Sequence, residues 1–240
     1  MKSSIRHNKV YNQLLDLDKA NERLGKFQKE FDAFIGEISR SLAKTVLGTG
    51  ELGAFLLHRH WKLEANCVMV ERPRVLQSGK VALITKSLNV KEARMLKAAP
   101  CRWMVSGKGK QPVPLEYSVD PFVQEVHEVL IEAPKILKTI SSDIVRHGLQ
   151  DLIGFMIIPR RSLSFRNTGE LVETNRDNIS IVTVEHLSPK EKLSSIMTGW
   201  PFSSTRNGSV WACCYCSHGG GHSCRHPKPD PPICRPHGCV

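Results

Sequence analysis

The chain has 240 residues, 40% hydrophobic and 24% charged, which is ordinary globular composition and excludes wholesale disorder, collagen and coiled-coil classes. Its formal net charge is +11, but the basic excess is spread along the chain, and the longest basic cluster is only Arg160-Arg161. Nucleic-acid binding is therefore the less favoured interpretation of that charge. No run approaches the roughly 18 apolar residues of a membrane span, so we expect no membrane segment.

The N-terminus carries charge without an apolar stretch behind it. Asp16, Asp18 and Glu22 follow within a few residues, which argues against a secretory signal and against a mitochondrial presequence. We therefore expect a cytoplasmic or nuclear protein, in which thiols stay reduced.

Residues 1–50 are interpreted as an N-terminal amphipathic helical unit. Between residues 11 and 47 the apolar side chains recur at spacings of three, four and seven, which predicts one long helix with an apolar stripe. The stripe comprises Leu14, Leu17, Leu24, Phe27, Phe31, Phe34, Ile38 and Leu42. Gly48 and Gly50 are expected to end the helix. The stripe is expected to pack on the following domain, or to serve self-association or a protein partner.

Residues 51–200 are expected to form a globular α+β domain. Short apolar or β-branched runs predict strands at 52–58, 67–71, 81–85, 102–105, 115–119, 152–158 and 179–184. Asp120-Pro121 is typical of a helix start, Pro134 breaks that helix, and the capping box Ser188–Glu191 predicts a short helix to Thr198. Because strands and helices are grouped rather than alternating one by one, the pattern favours a mainly antiparallel sheet with packed helices.

Residues 201–240 form an irregular tail rich in Cys, His, Pro and Gly, and hold six of the eight cysteines. In a reducing compartment such a cluster favours metal binding over disulfides. The donor spacing points to zinc held by Cys213, Cys216, His218, His222, Cys224 and His226, although it matches no standard zinc finger. The alternatives are a disordered, redox-sensitive tail, or disulfides formed after unconventional export.

A second set of candidate residues is the segment Leu56-Leu57-His58-Arg59-His60-Trp61. At a strand end, His58 and His60 share one face and lie roughly 6–7 Å apart at Cα, which suits two imidazole ligands of one metal ion or two catalytic groups. Glu64, His147 or His186 would complete such a site. The alternative is a pair of ordinary histidines hydrogen-bonded to their neighbours.

The two remaining cysteines, Cys67 and Cys101, lie among apolar residues and are predicted to be buried thiols of the core. Nucleotide-binding, nucleophile-elbow and zinc-protease motifs are absent from the sequence.

Several short segments together resemble a group of filamentous-fungal proteins of no assigned activity. The resemblance covers roughly residues 50–185 and is carried by the segments 56–61, 69–71, 100–103, 115–117, 147–154 and 172–176. Trp61 stands where that group usually has Phe, and Asn175-Arg176 lacks the glycine expected between them. The resemblance implies a fungal, intracellular protein with a shared domain, and it implies no reaction.

The sequence therefore leads to two main functional hypotheses. The first is a non-enzymatic zinc-binding or interaction protein that uses the tail. The second is a metal-dependent enzyme with a site built around His58 and His60. Whether the chain is an enzyme stays open at this point, and a nucleic-acid-binding role is a weaker third hypothesis.

Overall fold

The structure is a computed structural model that describes residues 4–45, 47, 51–106, 112–159, 161–163, 170–202 and 212–216, with the backbone alone at 4–6 and 212–216. The helices are α1 (Ser4–Asn12), α2 (Leu17–Gly25), α3 (Gln28–Leu42), α4 (Val90–Met95), α5 (Pro121–Glu132), α6 (Pro134–Arg146) and α7 (Pro189–Leu193). The strands are β1 (Leu52–Leu56), β2 (Cys67–Val75), β3 (Val81–Asn89), β4 (Ala99–Val105), β5 (Pro112–Ser118), β6 (Ile153–Ile157), β7 (Glu170–Arg176), β8 (Ile179–Glu185), β9 (Ile196–Pro201) and β10 (Ala212–Cys216).

The strands form a closed barrel in the order β1-β6-β4-β5-β2-β3-β8-β7-β10-β9, with β9 pairing back onto β1. The pairs β2–β5 and β7–β10 are parallel, and the other pairs are antiparallel. The predicted α+β class with a mainly antiparallel sheet is thus confirmed.

Most predicted strands are present, but β7, β9 and β10 were not predicted. In β7 the apolar residues Leu171 and Val172 are flanked by Glu170 and Glu173, and all four are buried, so the run lacks a clean apolar pattern. The capping box at Ser188 is present, yet its helix ends at Leu193 rather than near Thr198. The chain then extends into β9, which pairs with β1.

The single helix predicted over 11–47 is not confirmed, because the segment is divided among three helices. The side chain of Asp16 caps a new helix by accepting a hydrogen bond from the Lys19 amide at 3.0 Å. That helix ends at Gly25, a residue of low helix propensity. Most of the apolar stripe is buried: Leu24, Phe31, Phe34 and Ile38 belong to the apolar cluster that packs the helices against the barrel.

Two apolar clusters lie on opposite faces of the barrel strands. The outer core packs α2, α3, α5 and α6 against Ala54, Leu56, Trp103 and Phe155. The inner core uses the alternate residues, such as Phe55 and Met156. Successive side chains of a strand point to opposite faces of the sheet, so a strand that is buried on both faces contributes alternate residues to the two cores.

Close approach between neighbouring strands depends on glycine at two positions. A Cβ on Gly53 would lie 2.6 Å from the carbonyl oxygen of Trp200, and one on Gly154 would collide with the Phe55 ring and the Trp103 carbonyl. Both positions need a residue without a side chain. These two glycines allow β1 to lie close to β6 and β9, and β1 is followed directly by the segment that carries His58 and His60.

Each helix in the described part of the chain is too short or too polar to traverse a lipid bilayer.

Candidate functional site

A cavity of about 30 Å³ lies against the inner face of the barrel strands, a volume that holds about two water molecules. Its wall is partly apolar and partly charged. The lining comprises Phe55, His58, Glu71, Leu83, Cys101, Arg102, Met156, Ile157, Pro159, Leu171, Glu173, Val182 and Thr198. We call six of the buried groups at and beside this wall the inner polar cluster: His58, His60, Glu71, Arg102, Glu116 and Glu173.

The histidine segment continues the line of β1 after the strand ends at Leu56. The Leu57 amide donates to the carbonyl of Leu152 at 2.8 Å, and the Arg59 amide donates to the carbonyl of Leu15 at 2.9 Å. With the backbone held in this way, the His58 and His60 rings lie beside each other, with centroids 4.8 Å apart.

His58 presents a free lone pair inside the protein. Its Nδ1–H donates to the Leu56 carbonyl at 2.8 Å, so Nε2 is the unprotonated nitrogen of a neutral ring. Nε2 is buried and has no hydrogen-bond partner among the described residues. Burial, and then the neighbouring His60, lower the pKa of His58 to about 4. The ring is therefore a neutral base at physiological pH.

His60 is held between two carboxylates. Its Nε2 lies 3.6 Å from Glu116 Oε1 and 3.5 Å from Glu173 Oε1, and its side chain is 1% exposed. Burial acts to lower the pKa of His60, but Glu173 and Glu116 outweigh it and raise the pKa above its ordinary value. His60 thus favours the charged form, in contrast to His58 beside it.

Arg102 supplies the permanent cation of the cluster. Its Nη1 lies 3.0 Å from Glu116 Oε2, with the Glu116 side chain 4% exposed. Burial acts to raise the pKa of Glu116, but Arg102 and His60 overcome it and lower the pKa to about 2. Burial also acts to raise the pKa of Glu173, but His60 and Arg102 outweigh it and lower the pKa below its ordinary value. The Ser180 hydroxyl donates a hydrogen bond to Glu173 Oε1.

Glu71 has the opposite character. It lies on the cavity wall and is 4% exposed. Burial raises its pKa to about 7, although Arg102 acts in the other direction. At neutral pH this carboxyl group is therefore a proton donor as often as an acceptor, which is the property of a general acid.

Helix α1 contacts the histidine segment and contributes Tyr11 to the inner core. The hydroxyl oxygen of Tyr11, which is fully buried, accepts a hydrogen bond from the His60 amide at 3.2 Å. The Asn12 amide group donates to the Leu63 carbonyl at 2.9 Å and accepts from the Leu63 amide at 2.7 Å. The helix therefore fixes both ends of the segment that carries His60.

The proposed third ligands are not brought to the His pair. Glu64 and His186 are exposed, and the Nε2 of His147 lies 3.3 Å from Glu37 Oε2 on the helical layer. The structure places Glu116 and Glu173 beside His60 instead. No group of three His, Cys, Asp or Glu side chains arranged for a metal ion occurs within the described side chains.

The predicted tail ligands are largely outside the described residues. His218, His222, Cys224 and His226 all lie there, whereas Cys213 and Cys216 lie in β10, where the backbone alone is described. Of the two cysteines predicted to be core thiols, Cys101 is buried and Cys67 is partly exposed.

Sequence reasoning missed the charged residues of the barrel interior. Glu71, Arg102, Glu116 and Glu173 each stand within or beside an apolar run. A charge at an alternate position of an apolar strand is the signal that could have found them, because such a charge must be paired when it is buried.

No family model, curated protein or solved structure matches this chain.

Proposed function

We propose that the protein is an enzyme that transfers protons to and from a small molecule bound in the barrel cavity. The observation that carries this proposal is the unpartnered Nε2 of His58, a buried neutral base on the cavity wall. A buried lone pair without a donor is unfavourable by about 1–3 kcal/mol, so a bound molecule that supplies a donor gains that amount.

Two of the ionisable groups on the wall, His58 and Glu71, differ in the way that acid–base catalysis needs. Between pH 4 and pH 7 the His58 ring is unprotonated, whereas Glu71 keeps its proton until pH approaches about 7. Groups whose surroundings push their pKa values apart divide the roles of base and acid between them. Arg102, also on the wall, supports this proposal because its positive charge would stabilise an oxyanion that developed on the bound molecule.

The lining defines the substrate class. Phe55, Leu83, Met156, Leu171 and Val182 form the apolar part of the wall. A compact molecule that places one carbonyl or hydroxyl group in this two-water volume, with its acidic C–H or O–H towards His58, suits this combination.

Exchange of α-protons for deuterium in acetone and hydroxyacetone tests the proposal, followed by NMR in D₂O. We expect exchange above the buffer rate, increasing as pH rises through about 4, where His58 loses its proton, and decreasing as pH rises through about 7, where Glu71 loses its proton. His58→Gln and Glu71→Gln should each reduce the rate about 100-fold or more. His186→Gln, at an exposed histidine, should leave it unchanged. Equal rates in the wild type and in both cluster variants would contradict the proposal.

A second proposal rests on the six cysteines of the last 30 residues. In this proposal the protein is not an enzyme but binds zinc or a partner protein through its tail, in the cytoplasm or nucleus. Elemental analysis after replacement of His218, His222, Cys224 and His226 tests this proposal, because loss of all bound zinc is then expected. Substitutions are preferable to truncation after residue 211, since truncation would remove β10 from the barrel.

A further inference from the structure

The Glu71 carboxyl group lies against the junction between β5 and α5. The strands β2 and β5 run parallel, and Glu71 and Ser118 are register partners in their ladder, so the two side chains share a face of the sheet. The amide of Val119, the next residue, donates to the Glu71 carbonyl at 3.0 Å. Ser118 is 0% exposed, and the lining of the cavity includes Glu71 but not Ser118. Ser118 therefore contacts Glu71 beside the cavity rather than across it.

The Ser118 hydroxyl has one proton to donate, and its surroundings direct that proton to Glu71. Ser118 Oγ accepts a hydrogen bond from the Asp120 amide at 3.1 Å, and that amide nitrogen cannot accept one in return. The hydroxyl also forms a side-chain hydrogen bond with Glu71. Asp120 is itself fixed, because its Oδ1 caps α5 by accepting from the Phe122 amide at 2.9 Å. The start of α5 thus orients the hydroxyl towards Glu71.

We propose that Ser118 is a positioning residue for Glu71: its hydroxyl donates to one carboxyl oxygen, so that the other oxygen carries the acid proton and presents it to the cavity. This inference rests on the proposed function, in which Glu71 is the general acid. When that proton moves to an oxygen of the bound molecule, Glu71 is left as a carboxylate that still accepts from Ser118. A hydrogen bond that the charged form accepts favours that form. Ser118 therefore stabilises the state that follows proton transfer.

A change at Ser118 leaves the ionisable groups that act on Glu71 in place. These groups are Arg102 and Cys101 of β4, Glu116 of β5 and Asp120 at the start of α5. From β3 the register partner of Glu71 is the uncharged Thr85. Burial raises the pKa of Glu71, whereas Arg102 and the Ser118 hydroxyl act to lower it. Loss of the hydroxyl should therefore raise the pKa of Glu71 further.

A ¹³C NMR titration of the Glu71 carboxyl carbon in the full chain tests this inference, with the signal assigned by its loss in Glu71→Gln. The wild-type midpoint is expected at about pH 7. In Ser118→Ala we expect a midpoint at higher pH, because the ionised form has lost a donor. The decrease of α-proton exchange with pH should move in the same direction. Exchange at pH 8, where about nine-tenths of wild-type Glu71 is ionised, should increase several-fold in Ser118→Ala.

The matched control is Ser141→Ala in α6. It removes another fully buried hydroxyl, one that has no hydrogen-bond partner among the described residues, and should leave the midpoint and the exchange rate unchanged. Ser118→Thr keeps the hydroxyl and should titrate like the wild type. If Ser118→Ala does not fold, Ser118→Cys replaces it, since a thiol is a weaker donor. A Glu71 midpoint that stays the same or falls when the hydroxyl is lost would overturn the inference.

The outcomes for Ser118 and for the proposed function can be separated, because the titration reads Glu71 without any substrate. If the midpoint rises in Ser118→Ala but the wild type exchanges no α-protons, the role of Ser118 stands and the proton-transfer proposal is wrong. If exchange occurs and depends on Glu71 while the midpoint is the same in Ser118→Ala, the proposed function stands and the role of Ser118 is wrong.

Discussion

At the scale of single residues, the inner polar cluster is organised by pairing. Glu116 contacts both Arg102 and His60, and Glu173 contacts His60. Glu71 has weaker compensation, so its pKa rises to about 7 while that of Glu116 falls to about 2. Two glutamates in one interior therefore serve different purposes: Glu116 is a permanent anion and Glu71 is a group that titrates.

Glu116→Gln should destabilise the protein by about 3–5 kcal/mol, because it removes the carboxylate in direct contact with Arg102 and leaves that charge without its ion pair in the interior. Urea denaturation monitored by far-UV circular dichroism measures this change. The matched control is Glu185→Gln, which breaks the exposed ion pair between Lys80 and Glu185 at 3.0 Å and should change stability by less than about 1 kcal/mol. Equal effects in the two variants would show that the Glu116 pair is not buried in solution.

Glu71 should make stability fall as pH rises. Because burial raises its pKa from 4.5 to about 7, its contribution is fully present below 4.5 and is lost as pH rises through about 7. The contribution is about 3 kcal/mol, given roughly 1.4 kcal/mol per pKa unit. Urea denaturation should show that the free energy of unfolding of Glu71→Gln, relative to that of the wild type, increases by about that amount between pH 4.5 and pH 8.

The comparison isolates Glu71 because the other titrating groups are common to both proteins. His58, with a lowered pKa of about 4, contributes stability above 6.5 that is lost as pH falls through 4, in the wild type and the variant alike. A difference between the two proteins that does not vary with pH would mean that Glu71 is ionised throughout, and would remove the general acid from the proposed mechanism.

At the scale of elements, the close approach of β1, β4 and β6 depends on Gly154. Gly154→Ala should destabilise the protein by about 1–3 kcal/mol, since the added methyl group meets the Phe55 ring and the Trp103 carbonyl. Gly36→Ala in α3 should have the opposite sign and stabilise by up to about 1 kcal/mol, because its nearest neighbour is a flexible arginine terminus at 3.6 Å. Thermal and urea denaturation of the two variants should give opposite shifts.

Strands and helices were predicted correctly from the sequence where the apolar residues follow one clear period. The prediction failed where buried charged residues or a helix cap interrupt that period. Strands such as β6, which are apolar on both faces, and the helix begun by Asp120-Pro121 were predicted correctly. The strand β7 was missed because burial of Glu170 and Glu173 interrupts its apolar pattern. Leu14, Leu17 and Leu24 keep helical spacing across Asp16 although Leu14 packs in the inner core and the other two in the outer core, so periodicity alone did not reveal the break at Asp16.

The same limit applies to the candidate site. The spacing of His58 and His60 identified one pair of neighbours, because i and i+2 share a face in extended chain. Glu116 and Glu173 are distant from them in sequence and arrive through β5 and β7. Only the strand order brings them together, and strand order cannot be obtained from local patterns.

At the scale of the whole molecule, the barrel and the helical layer share the outer core. Phe34 of α3 is fully buried and lies against the rings of Phe31, His147 and Phe202, at centroid distances of 6.0 to 6.4 Å. Phe31 in turn packs edge-on against Trp200 of β9 at 4.6 Å. Because neither layer buries its apolar surface without the other, we expect the two to unfold together.

Phe34→Ala should therefore lower the stability of the entire protein by about 3–5 kcal/mol while keeping a single transition. Tryptophan fluorescence reports on the barrel through Trp103 and Trp200, and circular dichroism at helical wavelengths reports on the outer layer, so coincident midpoints by the two probes would show shared unfolding. Leu193→Ala, at a residue 58% exposed, serves as the control and should change stability by less than about 0.5 kcal/mol. Helical signal lost at lower urea than the fluorescence change would mean that the barrel folds without its helices. The inner polar cluster would then stand independently of the helical layer formed by α2, α3, α5 and α6.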